Sequence, residues 1–176
     1  SLLIGCDGKS PEKAPEQTTT TIPSSTFMTE RPADVVDLIE AKKIAKVGDK
    51  ITFLARVGGR AKPFVENQAI FLTVDPSLES CEIMSDDGLC GFPWDYCCED
   101  KDVLTAGLAT VRLTDGEGKV LKKSAEGQGE LEALKFVVIT GIVREKNDEG
   151  LFVVDASKIW VGGKPNRGNP LEGSGG

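Results

Sequence analysis

The chain has 176 residues, enough for one domain with its own core plus flexible ends, and no apolar run approaches the roughly 20 residues that cross a bilayer. It contains no histidine, which excludes Ser-His-Asp and Cys-His catalysis and removes the commonest general base and metal ligand. A net charge of −7 and a pI near 4.8 oppose a polyanionic partner, because phosphate binding draws its affinity from Lys and Arg displacing counterions; bulk nucleic-acid binding is disfavoured.

At the N-terminus, Leu3-Ile4-Gly5-Cys6 resembles the lipobox that closes a bacterial lipoprotein signal peptide, with a small residue before the cysteine that accepts a diacylglycerol. The resemblance implies lipid on Cys6, a membrane anchor without a transmembrane span, and an extracytoplasmic place in the cell envelope. A polar, Pro/Thr-rich stretch from Asp7 to Ser25 fits a solvated spacer behind such an anchor. Residues 1–30 are therefore expected to be a lipobox remnant and a disordered spacer. No enzyme activity is expected, since no catalytic set is recognisable.

From Ala33 to Ala45, Val35, Val36, Leu38, Ile39 and Ile44 recur with acids early and lysines late, the polarity a helix dipole favours, and predict an amphipathic helix. Gly48-Asp49 ends it. Lys50 to Val57 then alternates, with Ile51, Phe53, Ala55 and Val57 on one face, and predicts a strand. Further strands are expected at Gln68 to Val74, Ala109 to Thr114, Phe136 to Arg144 and Gly150 to Val161. A short helix or turn is expected at Ser124 to Leu134, and Ile70, Leu72 and Val74 are expected to face inward with Val111 and Leu113.

Strand, strand, strand, helix, strand, strand is the order of an OB-fold barrel. Gly48 to Val57 followed by Ala69 to Asp75 resembles the first hairpin of OB-fold domains, and Val138-Ile-Thr-Gly141-Ile-Val143 with Leu151 to Ala156 resembles the closing pair. Gly141, inside an apolar strand, fits a barrel bend where a Cβ would crowd its neighbour. The expected fold is all-β: a five-stranded OB-like barrel over residues 31–161, with an N-terminal helix, a short helix between the third and fourth strands, and an insert at 75–105. Residues 162–176 are expected as a disordered Gly-rich tail. Pro93 to Cys98 is also similar to a Pro-Trp-Asp-Tyr-Cys-Cys element of uncharacterised exported lipoproteins of planctomycete-type bacteria, a likeness that transfers no activity.

The insert carries nine carboxylates between Asp75 and Asp102 against the single Lys101, and four cysteines, Cys81, Cys90, Cys97 and Cys98. The leading reading is two disulfides that close the loop on itself, with Cys97 and Cys98 bonded to Cys81 and Cys90, because a vicinal bond is strained. The sharper reading is a tetrathiolate zinc site, with Asp86, Asp87, Asp95 and Glu99 adding favourable field. Gaps of eight, six and no residues do not match the familiar Cys-x₂₋₄-Cys knuckles. Redox-active thiols are disfavoured among so many carboxylates. Phe92, Trp94 and Tyr96 alternate, so in an extended segment they share one side, either as a stacking surface or as a plug that pins the loop.

Candidate ligand-binding residues on the barrel are Arg56, Arg60, Phe64, Phe71 and Arg112, joined by Trp94 and Tyr96 of the insert. The reading that follows is a non-enzymatic cell-envelope lipoprotein whose barrel presents a cysteine-stapled acidic loop to a protein, a glycan or a metal. The alternatives are a single-stranded nucleic-acid-binding OB domain and a four-thiolate metal-binding envelope protein.

Overall fold

Two short strands, β1 (Phe27–Met28) and β2 (Val36–Asp37), and a helix, α1 (Leu38–Ile44), lead into β3 (Lys50–Val57) and β4 (Ile70–Val74). Helices α2 (Cys81–Met84) and α3 (Lys101–Gly107) follow, and then β5 (Leu108–Arg112), β6 (Phe136–Lys146) and β7 (Phe152–Val161). These elements come from a computed structural model that describes residues 21–84 and 90–164.

The ladder runs β3, β4, β5, β7, β6 and back to β3, antiparallel throughout except where β5 meets β7 in parallel. This closed order is that of the five-stranded OB-like barrel expected from the sequence. Phe53, Phe71, Val111, Ile139, Val154 and Ile159 fill its interior, each sealed from solvent. At Gly141 a Cβ would stand 2.3 Å from the Asp155 carbonyl oxygen, and the β6–β7 register shifts between Thr140 and Gly141, so the barrel bends where only glycine fits.

Several local expectations are corrected. β4 has the opposite phase: Phe71, paired with Val111, points into the barrel, while Ile70 and Leu72 are half-buried on the outer side. The N-terminal helix is seven residues, not thirteen. Asp34 adopts φ 53°, and Val36-Asp37 pairs in parallel with Phe53-Leu54, which draws the residues before Leu38 out of the helix. The short helix or turn expected at 124–134 is present as a 3₁₀ turn at Gln128–Glu130.

The fold also reaches beyond 31–161. Ile22 is buried in the barrel core, β1 pairs in parallel with Ile159-Trp160 of β7, and the Gly162 N–H donates to the Phe136 carbonyl at 2.7 Å. The expected disordered spacer and tail are thus corrected at 22–30 and 162–164. Cys6 and the rest of 1–20, residues 85–89 with Asp86 and Asp87, and 165–176 lie outside the described residues. Among the described residues no helix is long and apolar enough to cross a membrane.

The insert is packed, not appended. Leu78, Tyr96 and Leu104 close over Val74 with Ile39 and Leu108 beside them, a second apolar cluster on the outside of the barrel. Buried Asp75 opens the insert, accepting the Ile39 N–H at 2.6 Å and the Ser77 N–H at 2.9 Å, and so ties α1 to the excursion. Asp100 caps α3 by accepting the N–H groups of Asp102 and Val103. Lys42 of α1 donates to the carbonyls of Thr105, Leu108 and Gly150, which fixes the far end.

Candidate metal centre

Cys81 opens α2 and is 1% exposed; Cys90, Cys97 and Cys98 lie on the loop that folds back over it. Two turns shape that loop, with the Asp95 N–H donating to the Phe92 carbonyl and the Glu99 N–H to the Tyr96 carbonyl. Tyr96 itself has φ 61°, so the run Phe92, Trp94, Tyr96 is not extended and its rings do not share one side. Phe92 is half exposed, Trp94 is half-buried and Tyr96 is fully enclosed.

The turns bring the sulfurs together. The Sγ atoms of Cys81, Cys90 and Cys97 all lie within 4.8 Å of one another, with Cys81 and Cys97 3.5 Å apart. Cys98 offers both its backbone N–H and its thiol to Cys81. All four are free thiols, so the two-disulfide staple expected from the sequence is not formed. A tetrahedral thiolate site with bonds of about 2.3 Å needs sulfurs roughly 3.8 Å apart, which the observed spacing approaches without rearrangement of the fold. Three cysteines here are close enough to hold a metal ion.

Electrostatics single out Cys81. Burial opposes its ionisation, but the hydrogen bonds from the Cys98 N–H and from the Cys97, Cys90 and Cys98 thiols outweigh that penalty, and its pKa falls below the ordinary thiol value. The donors move the other way: hydrogen bonding to Cys81 raises Cys98 and pushes Cys97 to about 12. Cys81 is thus the thiol of this group that ionises most readily, and a cation entering among the sulfurs would displace the remaining thiol protons.

The barrel holds this site through Arg56. From the outer face of β3 the 4% exposed guanidinium donates to the Leu134 carbonyl at 2.8 Å, to Ser80 Oγ at 3.2 Å and to Glu82 Oε2 at 2.9 Å, the last two flanking Cys81. Arg56 is therefore a strut of the site and does not project toward solvent. Tyr96 lies across Gly58, where a Cβ would stand 3.0 Å from its ring, and its hydroxyl stands near enough to Arg56 to feel the guanidinium charge.

The other candidate ligand residues disperse. Phe71 is in the core, and Arg112 is bound to buried Asp155, which Arg144 also engages. Arg60 donates to the neighbouring Gly59 carbonyl at the surface. Phe64, from the β3–β4 connection, and Trp94, from the cysteine loop, both line one cleft. Sequence reasoning missed Ser80 and Glu82 as supports of the thiols; their only signal was adjacency to Cys81.

No protein-family model matches the chain, and no curated protein matches it. Among solved structures it is similar to a crystal structure assigned as an aspartyl-tRNA synthetase from Leishmania major Friedlin, at a TM-score of 0.36 and 12% identity, over 84% of this chain. The chain spans 23% of that synthetase's length.

Proposed function

We propose that this protein is a non-enzymatic, metal-binding protein of the cell envelope, in which an OB-like barrel carries a thiolate centre of Cys81, Cys90, Cys97 and Cys98 for a borderline-soft cation, Zn²⁺ first. The observation that carries the reading is the convergence of three Sγ atoms within 4.8 Å around a buried, acidified Cys81. Four thiolates favour Zn²⁺ or Cu(I) over hard cations, and the surrounding carboxylates help to offset the charge of the incoming ion. The lipobox-like Leu3 to Cys6 supports a lipid anchor on Cys6 and an extracytoplasmic place. There, four reduced thiols persist best when a metal protects them.

The engagement of Arg56 and Arg112 in ion pairs and the negative net charge weigh against the alternative of single-stranded nucleic-acid binding. The 3.5 Å approach of Cys81 to Cys97 favours a second reading, a disulfide-stapled loop formed on oxidation. Metal analysis of natively purified protein, paired with a free-thiol count, separates the two. About one zinc per chain with four thiols that titrate only after chelation supports the centre. No metal and no free thiol would replace it with two disulfides.

A further inference from the structure

Access to solvent separates the four thiols. Cys81 is 1% exposed, whereas Cys97 and Cys98 are open to water. A disulfide molecule arriving from outside therefore meets Cys97 or Cys98, and reaches Cys81 only through them. Cys97 is touched from both sides: solvent on one, and the Cys81 Sγ at 3.5 Å on the other. That gap exceeds an S–S bond by only about 1.5 Å. Cys98 is not one of the three sulfurs that lie within 4.8 Å of one another, and a bond between adjacent Cys97 and Cys98 is strained.

Both partners are held through their neighbours. Arg56 donates to Ser80 and Glu82 on either side of Cys81, and fully enclosed Tyr96 seats the residue before Cys97 against Gly58. The last approach of the two sulfurs therefore falls to their side chains, with the barrel and the loop left in place.

We propose that the centre is a thiol–disulfide switch, in which a small-molecule disulfide joins Cys81 to Cys97 and expels the cation, leaving Cys90 and Cys98 as thiols. The inference rests on the metal centre proposed above. The Cys97 thiolate attacks the entering RSSR, forming a Cys97–SR mixed disulfide and releasing RS⁻. Cys81 then attacks the Cys97 Sγ, the Cys81–Cys97 bond forms, and the second RS⁻ leaves. Two protein thiolates have lost two electrons, and RSSR has gained them as two thiolates. Only thiolate sulfur ligates well, so a cation held by four ligands is left with two and departs. A reducing thiol reverses the sequence by attacking exposed Cys97 and setting Cys81 free.

The test uses the full chain with Cys6→Ser, purified with its zinc, and adds glutathione disulfide. Released zinc is read with a chromophoric chelator and bonded cysteines by peptide mass mapping. One zinc lost for each Cys81–Cys97 bond formed, with Cys90 and Cys98 still alkylated and zinc rebound after dithiothreitol, is the expected result. Cys97→Ser, at an exposed position, should slow release about tenfold or more, and Cys81→Ser should accumulate the mixed disulfide on Cys97. Zinc retained alongside the bond, a first bond at any other pair, or release as fast in Cys97→Ser as in its parent would each overturn the switch. A chain that binds no zinc before oxidant is added would instead remove the metal centre itself, and the switch with it.

Discussion

The Arg56 guanidinium on β3 meets the Glu82 carboxylate at 2.9 Å, one residue beyond Cys81, so a barrel strand grips the turn that carries the buried thiol. Glu82 is about a quarter exposed, which moderates the pair's own contribution. Its value lies in orientation: residues that position ligands typically change metal affinity by about 10- to 100-fold when removed. Arg56→Met should therefore weaken zinc by about tenfold in competition with a chromophoric chelator while the barrel stays folded. Arg56→Lys should rescue little, because a single ammonium cannot serve Leu134, Ser80 and Glu82 together.

Gly58→Ala tests how the loop is seated. The new Cβ would stand 2.7 Å from the Trp94 carbonyl oxygen and 3.0 Å from the Tyr96 ring, distances that force the loop outward. A destabilisation of about 1–3 kcal/mol is expected from such overpacking. Hydrogen exchange should quicken across residues 90–98 and remain slow in β6 and β7. Equal quickening in the barrel strands would contradict a separately seated loop.

Tyr96 is the single tyrosine of the chain, so its ionisation can be read by absorbance without ambiguity. Burial, only partly offset by the Arg56 charge, lifts its pKa from 10.0 to about 12. Between those values the unfolded chain has lost a proton that the native protein keeps. Stability from this group is therefore unchanged below pH 10 and falls as pH rises from about 10 toward 12. Denaturant titrations of the wild type and of Tyr96→Phe should diverge in that interval and run parallel beneath it.

Metal removal should loosen the insert without melting the domain. The barrel core is built from residues remote from sulfur, unlike small zinc domains that unfold when stripped. A chelator is expected to leave the far-UV dichroism of the sheet intact, lower the melting temperature by several degrees, and make Cys97 and Cys98 react with thiol reagents ahead of buried Cys81. Loss of all cooperative unfolding on chelation would show that the barrel depends on the centre.

The closed sheet was legible because β3 alternates cleanly and Gly141 marks its bend. β4 was misphased by one residue because Ala69-Ile70-Phe71-Leu72-Thr73-Val74 carries almost no polar alternation: Thr73 is as buried as Phe71, and Val74 is covered from outside by Tyr96 and Leu104. A strand covered on both faces gives no period-two signal. The thiols escaped the spacing rules for a related reason. Those rules describe ligands paired on one tight turn, whereas here Cys81 comes from a helix and its partners from a loop that only the fold lays across it. Trp94 was found as an aromatic candidate, but its cleft depends on Ala61 and Glu126, which nothing in the chain order connects to it.

Val74 and Leu108 face each other across the last rung of the β4–β5 ladder, and everything from 75 to 107 departs and returns at that rung. The excursion is thus a bracketed module on a hairpin that could equally be joined by a tight turn. A shortened chain of that kind, with Ile39, Val74 and Leu108 made polar to suit their new exposure, would keep the barrel and shed every cysteine but Cys6, and the excised span could be spliced onto other hairpins of the same gauge.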